Sequence, residues 1–237
     1  MAKKSQLLLI IPAYNEEEAI KDTLENVLNH QAIDPFFDVV VINDGSTDRT
    51  KEILDQFASR ITAIHLPHNL GIGGAVQTGY QYAKEKNYQY AAQFDADGQH
   101  LISELKRIYD PMRNGEADMV IGSRFVEKTG YQGSWQRRIG IAFFTYFIYF
   151  CSHLKIMDPT SGFRIKNRKV IEEFAKEYPT DYPEPEVIVT AHRKGWRVKE
   201  VSVEMQSRQG GMSSIHSWKT IYYMTKVSLA VMKEWRR

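Results

Sequence analysis

Two early stretches of the chain, Leu7–Ile11 and Phe37–Ile42, carry apolar residues on nearly every position rather than on alternate ones. A strand with one wet face alternates. A continuous run belongs to a strand buried on both faces, as in a parallel sheet covered by helices on each side. Each run ends in a polar turn, Pro12-Ala13-Tyr14-Asn15 and Asn43-Asp44-Gly45-Ser46-Thr47-Asp48, and helical spacing follows each. Ile20, Leu24, Val27 and Leu28 make one apolar stripe; Ile53, Leu54 and Phe57 make the next. The alternation continues with a short strand near Ile61–Leu66, a helix to about Lys86, and a strand ending at Phe94. A helix from about Ser103 to Arg113 and a strand over Ala117–Ile121 complete it. Short loops between such units imply right-handed parallel crossovers, so the fold class is α/β with a mixed, mainly parallel central sheet.

In such a sheet ligands collect at the carboxyl ends of the strands, which gives the polar turns their interest. The strand over 90–94 runs into Asp95-Ala96-Asp97-Gly98-Gln99-His100. Two acids one residue apart offer hard oxygen ligands suited to Mg²⁺ or Mn²⁺, with coordination positions left for a substrate diphosphate. A surface turn also favours Asp, Asp and Gly. Asn43-Asp44-Gly45-Ser46 puts another acid at a strand end, though a turn with a helix N-cap explains it locally, and Asn15 has the same N-cap reading. Asn69-Leu70-Gly71-Ile72-Gly73-Gly74 invites a dinucleotide-fold reading, but position 76 is Val and the Gly-x-Gly-x-x-Gly pattern fails. Close approach of backbone to a phosphate or ribose remains a use for these glycines. Arg124, in Gly122-Ser123-Arg124-Phe125, serves either a diphosphate or a carboxylate neighbour.

The chain changes character after about residue 126. Ile139 to Cys151 is strongly apolar and aromatic, with Trp135, Arg137 and Arg138 before it and Lys155 after it. A membrane span needs roughly 20 such residues, so this is an interfacial or core helix. Asp158-Pro-Thr-Ser-Gly-Phe-Arg164 reads as a loop with an acid and a base at its ends. Tyr182-Pro-Glu184-Pro-Glu186 precedes a helix beginning in Val187–Ala191, and Trp196–Met205 alternates like a strand. From Ile215 to Arg237 a helix carries Lys219, Lys226 and Lys233 beside Trp218, Tyr222, Leu229 and Trp235. That composition suits a membrane surface or a terminal helix packed on the domain with snorkelling lysines. At 237 residues the chain fits one large domain, and a formal charge of +2 does not suggest a nucleic-acid binder. The lone Cys151 excludes an internal disulfide. Met1-Ala-Lys-Lys looks like the start of a signal peptide, but the apolar run behind it is short and meets Pro12, so it is read as a strand.

Taken together and in order, Ile-Pro-Ala-Tyr-Asn-Glu-Glu, Asn-Asp-Gly-Ser-Thr-Asp, Asn-Leu-Gly-x-Gly-x-Ala, Asp-Ala-Asp-Gly-Gln and Gly-Ser-Arg-Phe resemble the family-2 inverting glycosyltransferases. Within these the chain is most similar to the dolichyl- and polyprenyl-phosphate branch, from about residue 6 to 214. The resemblance implies a nucleotide-diphospho-sugar transferase (GT-A) fold. It implies that Pro12, Tyr14, Glu16, Ile42 and Asp44 line the nucleotide pocket, with Gly74, Ala96 and Arg208 also on the donor. Asp95, Asp97 and Gln99 hold Mg²⁺ or Mn²⁺, and Asp97, Arg124 and Glu186 are the catalytic candidates. Asn43 stands where many relatives carry Asp and takes no role. The prolines around Glu184 and Glu186 leave the base position open between them, with Glu186 preferred for a hydroxyl acceptor.

The expectation is a glycosyltransferase domain over 1–214 and a C-terminal amphipathic helix over 215–237. The enzyme moves a hexose from a nucleotide-diphosphate sugar to a polyprenyl phosphate, peripherally on the cytoplasmic face of a membrane. The alternatives are a saccharide-hydroxyl acceptor and a non-catalytic nucleotide-sugar binding protein. A sugar-1-phosphate nucleotidyltransferase would place its glycine-rich basic loop after the first strand, where this chain has Pro-Ala-Tyr-Asn.

Overall fold

The computed structural model describes residues 5–126, 135–180, 183–206 and 217–235, with the side chains of 135–139 and 217–225 left aside. Its strands are β1 (Leu7–Ala13), β2 (Phe37–Asn43), β3 (Thr62–His65), β4 (Tyr90–Gln93), β5 (Met119–Ser123), β6 (Arg164–Asn167) and β7 (Val198–Ser202). They form one sheet in the order β3-β2-β1-β4-β6-β5-β7. The helices are α1 (Ile20–Ile33), α2 (Thr50–Gln56), α3 (Gly71–Glu85), α4 (Leu105–Arg113), α5 (Trp135–Ser152), α6 (Arg168–Phe174), α7 (Pro183–Arg193) and α8 (Ser217–Trp235).

Successive residues of each central strand enter different cores. Leu7, Leu9, Ile11, Val39 and Val41 join the α1 and α4 side. Leu8, Ile10, Val40 and Ile42 join the side covered by α3, α5, α6 and α7. That is why the runs do not alternate. Each fully buried aliphatic side chain contributes roughly 1.5–3 kcal/mol, so these strands anchor the fold. Gly79 of α3 lies where a Cβ would meet Ile10 Cγ2 at 2.3 Å, so the helix settles directly on β1.

β1 outruns its neighbour. Its pairing with β4 ends at Ile10↔Gln93, whereas its pairing with β2 continues to Ala13↔Asn43. The last β1–β4 ladder bond is Phe94 N–H to the Ile10 carbonyl, 2.9 Å. Pro12 faces the same side two residues later, past the end of β4, so its missing N–H costs no ladder bond. The sheet therefore opens between β1 and β4, at the point where its strand order reverses.

β6 corrects the reading of Asp158–Arg164 as loop throughout: Arg164 begins a strand, antiparallel to both β4 and β5. Its four residues include two buried basic side chains, Arg164 at 1% and Lys166 at 0% exposure. α7 also begins earlier than the apolar run alone suggests, with Pro183 and Pro185 in its first turn, where proline's missing N–H is tolerated.

Candidate functional site

The crevice is walled by the turns after β1 and β2, which are laced to each other. Asn15 N–H donates to Ser46 Oγ (3.0 Å), and Thr47 N–H donates back to Asn15 Oδ1 (2.8 Å). Glu16 N–H donates to Thr50 Oγ1 (2.9 Å) and Glu17 N–H to Asp48 Oδ2 (3.1 Å). Asn15 is thus not the N-cap of α1: at φ 53° it turns the chain, and its side chain serves the neighbouring loop. Burial opposes the charge on Asp48, but hydrogen bonds from Thr50 and the Glu17 N–H outweigh it and hold the carboxyl below its ordinary value. Pro12 and Ile42 are register partners on the crevice floor, and Tyr14 stands 46% exposed at its rim.

Asp44 is only 2% exposed and uses one oxygen to accept Leu70 N–H at 2.7 Å. Asn43 accepts Ser46 N–H (3.1 Å) and pairs its amide with His65 Nδ1 (3.0 Å), a structural use of the residue. Gly45, at φ +69°, lies where a Cβ would be 2.6 Å from the His68 backbone. The Asn69–Gly74 stretch does bring backbone close, but to protein. Gly73 N–H donates to the Thr180 carbonyl (3.1 Å), and a Cβ there would lie 2.0 Å from Pro179 O. A Cβ on Gly74 would meet the Leu70 side chain at 2.5 Å.

Past β4 the chain turns through Asp95–Gln99. Thr23 of α1 donates to the Ala96 carbonyl at 2.8 Å, fixing the turn from below. Gly98 takes φ +76°, and Gln99 N–H closes back on Asp97 Oδ1 at 3.0 Å. Asp95 keeps 31% of its side chain exposed. His100 accepts Asp95 N–H on Nδ1 (2.9 Å) and brings Nε2 to 3.4 Å from Asp95 Oδ2. Its ring stacks on Phe163 at 4.8 Å. Among the described residues no three His, Cys, Asp or Glu side chains cluster as a closed metal site. Two carboxylates and Gln99 fit an open hard-cation site instead, the kind Mg²⁺ or Mn²⁺ completes with substrate phosphates.

A second loop, residues 158–163, closes on this turn. A Cβ on Gly162 would lie 2.9 Å from Gln93 Nε2 and 3.0 Å from Asp95 Oδ2. Arg124 is committed to that loop: Nε and Nη2 each reach Asp158 at 2.7 Å, with Asp158 at 0% exposure. Of the two roles the sequence allows for Arg124, the structure displays the carboxylate neighbour. Glu200 holds the other side of Asp158 by accepting the Met157 and Asp158 N–H groups at 2.7 and 2.8 Å. Arg164 is buried and donates to the carbonyls of Ser161 (2.7 Å), Glu184 (2.7 Å) and Pro159 (2.8 Å). Glu184 and Glu186 separate. Burial raises the Glu184 carboxyl above its ordinary value, opposed by Arg164 and reinforced by Asp95. Glu186 lies roughly 200° further around the helix and lines a groove with Tyr178, Thr180, Lys226 and Lys233. Arg208 lies outside the described residues.

This chain matches the family described as "Glycosyl transferase family 2" over residues 8–175. It is a family 2 glycosyltransferase. The polyprenol monophosphomannose synthase of Mycolicibacterium smegmatis is 30% identical, over 93% of this chain and 85% of that one. The UDP-N-acetylglucosamine–dolichyl-phosphate N-acetylglucosaminyltransferase of Methanococcus voltae is 28% identical, over 84% of each. The fold is shared with Mycobacterium tuberculosis glucosyl-3-phosphoglycerate synthase, crystallised with Mn²⁺, uridine diphosphate and phosphoglyceric acid (TM-score 0.71, 14% identity, 99% of this chain and 79% of that one).

In the glycosyltransferase Pro12, Ile42, Asp44, Asp95 and Asp97 stand at or just past the C-terminal ends of β1, β2 and β4, while Glu186 and Gly74 serve other contacts. His100 lies in the Asp95–His100 stretch that the sequence already singles out, whereas Gly162 and Lys166 escape sequence reasoning; for Lys166, inside an undetected strand, there was no signal. Away from the crevice, α5 buries Ile141, Phe144 and Ile148 and exposes Phe143, Tyr146, Tyr149 and Phe150. α8 buries Val227, Val231 and Glu234, the last accepting Arg193 Nη2 at 2.6 Å, and exposes Leu229, Met232 and Trp235. Phe150 and Trp235 meet at 6.2 Å, joining the two exposed faces. No described helix is long and apolar enough to cross a membrane. Lys219, Trp218 and Tyr222 have side chains outside the described set.

Proposed function

We propose that this glycosyltransferase moves a hexose from a nucleoside diphosphate sugar to a polyprenyl phosphate at a membrane surface, using Mg²⁺ or Mn²⁺. The observation that carries the proposal is the gap between β1 and β4, with buried Asp44 on one side and Asp95 and Asp97 on the other. The nucleoside end belongs with Pro12, Tyr14, Glu16, Ile42 and Asp44. The diphosphate end belongs with the two acids and Gln99, where a divalent cation would neutralise the charge that grows on the leaving diphosphate. Relatives whose names specify dolichyl-phosphate and polyprenol acceptors support the acceptor class. The exposed aromatic faces of α5 and α8 support the location, since amphipathic faces of this composition bind membrane interfaces.

An inverting displacement needs a nucleophile on the face of the anomeric carbon opposite the diphosphate. A lipid phosphate oxygen is already anionic and needs little general base. A sugar hydroxyl needs one, and Glu184 rather than Glu186 would supply it, because Glu186 lines the groove with Lys226 and Lys233, whereas Glu184 sits at the α7 end tied to Arg164 with its carboxyl raised by burial. The test screens nucleotide sugars with polyprenyl phosphate and with saccharide acceptors, with and without excess chelator. Metal-dependent turnover on polyprenyl phosphate is expected, retained in Glu184→Gln within about tenfold, short of the 10²–10⁴-fold of a lost base. Turnover only on saccharides would move the acceptor to a hydroxyl. Tight donor binding without product would make the chain a binding protein, and full activity in chelator would remove the metal.

A further inference from the structure

Arg164 is a buried arginine whose fork touches no carboxylate among the described residues. It spends Nε, Nη1 and Nη2 on the carbonyls of Ser161, Glu184 and Pro159. Two of those carbonyls belong to the 158–163 loop and the third to the first turn of α7. Such a use costs desolvation of a cation, offset here by charge-assisted hydrogen bonds from a rigid planar group that can reach separate acceptors at once. A lysine at this position could not span them.

What the fork fixes is next to the proposed metal turn. The loop it grips carries Gly162, whose missing Cβ leaves room for the Asp95 carboxylate, and Phe163, which stacks on the His100 ring that accepts Asp95 N–H. The helix end it grips is the first turn of α7, which carries Glu184. We propose that Arg164 is a positioning residue for transfer, bolting the 158–163 loop to α7 so that Asp95 is held where cation and diphosphate meet. It rests on the reading of Asp95 as part of the donor site, and it adds a residue that touches neither donor nor acceptor.

Arg164→Lys keeps the charge and loses the fork. Gly162→Ala leaves the fork intact and pushes a methyl group against Asp95 and Gln93, testing the same link from the other side. For each variant, UDP affinity is measured by calorimetry with Mn²⁺ and with chelator, alongside kcat, KM and the melting temperature. The nucleoside pocket is built on other strands, so UDP affinity in chelator should stay within about threefold of the parent protein. The gain in UDP affinity that Mn²⁺ confers should shrink in both variants. kcat should fall by up to about 100-fold, the size expected when a reacting group is misplaced by about 1 Å. If Arg164→Lys does not fold, Gly162→Ala carries the test alone. Normal kcat with an unreduced Mn²⁺ gain in Gly162→Ala, or in a folded Arg164→Lys, overturns the proposal. A parent protein showing no Mn²⁺ gain would fail the donor-site reading itself, a separate result.

Discussion

Replacing Asp158 should test whether Arg124 is a structural group or a substrate ligand. Asp158 is fully buried and accepts from Arg124 N–H (3.2 Å), Nε (2.7 Å) and Nη2 (2.7 Å). Removing one partner of a buried, hydrogen-bonded pair leaves the other charge stranded, at about 3–5 kcal/mol. Against a total stability of about 5–15 kcal/mol that is a large share. For a chain of this size it lowers the melting temperature by about 6–20 °C, at about 2–4 °C per kcal/mol. Asp158→Leu and Arg124→Met should each show this loss. The double variant Asp158→Leu with Arg124→Met should lose less than the sum, because neither charge is then left alone; a coupling of about 0.5–3 kcal/mol is expected. Urea denaturation of the four proteins gives the cycle, and turnover is read on the same samples. If Arg124→Met keeps its stability within about 0.5 kcal/mol and loses turnover, the guanidinium works on substrate and the structural argument is wrong.

Asp44→Asn retains an acceptor for Leu70 N–H but presents an amide or an uncharged oxygen to the pocket. It should weaken binding of the donor's nucleoside diphosphate by about 1.5–3 kcal/mol, the worth of a hydrogen bond to a charged group. kcat should hold, since such a contact is made equally in ground and transition states; a kcat effect with unchanged affinity would misplace Asp44. Asp48 and Asp118 both hold carboxyls below the ordinary 3.8, each against the opposing effect of burial; Asp118 does so through the Arg197 N–H and the Asn167 amide. A depressed carboxyl stabilises above its unfolded pKa, and that stability drains as pH falls through the folded value. Urea midpoints should therefore drop below about pH 4, and Asp48→Asn with Asp118→Asn should flatten the drop. Flotation with anionic liposomes should weaken in Phe150→Glu and Trp235→Glu, and with rising salt in the parent at about 1 kcal/mol per basic residue near the surface; absence of flotation under every condition would remove the membrane reading.

The parallel part of the sheet was legible because burial on two faces leaves an uninterrupted apolar record in Leu7–Ile11 and Phe37–Ile42. The acids at the strand ends were legible for the same reason, since the record stops where the crevice begins. β6 was not. Its four residues hide Arg164 and Lys166 in the interior, and a charged residue in sequence advertises surface, not core. Asn15 misled because an asparagine before three glutamates has a sufficient local use as a cap, while its actual partner, Thr47, is distant in the chain. Glu184 and Glu186 differ by helical phase, which became readable only once Pro183 was known to start α7. The Asn69–Gly74 glycines suggested room for a phosphate or ribose, but the backbone that Gly73 admits is Pro179–Thr180, a segment whose position no local pattern fixes.

The reciprocal lacing of the turns after β1 and β2 has a bearing on how such enzymes can be altered. Asn15, Glu16 and Glu17 reach Ser46, Thr50 and Asp48, and Thr47 and Arg49 answer from the other side. Each segment supplies backbone partners that the other lacks, so each is in part the other's template. Exchange of one segment with that of a relative therefore carries half an instruction, and donor preference should transfer between enzymes only when both segments travel together.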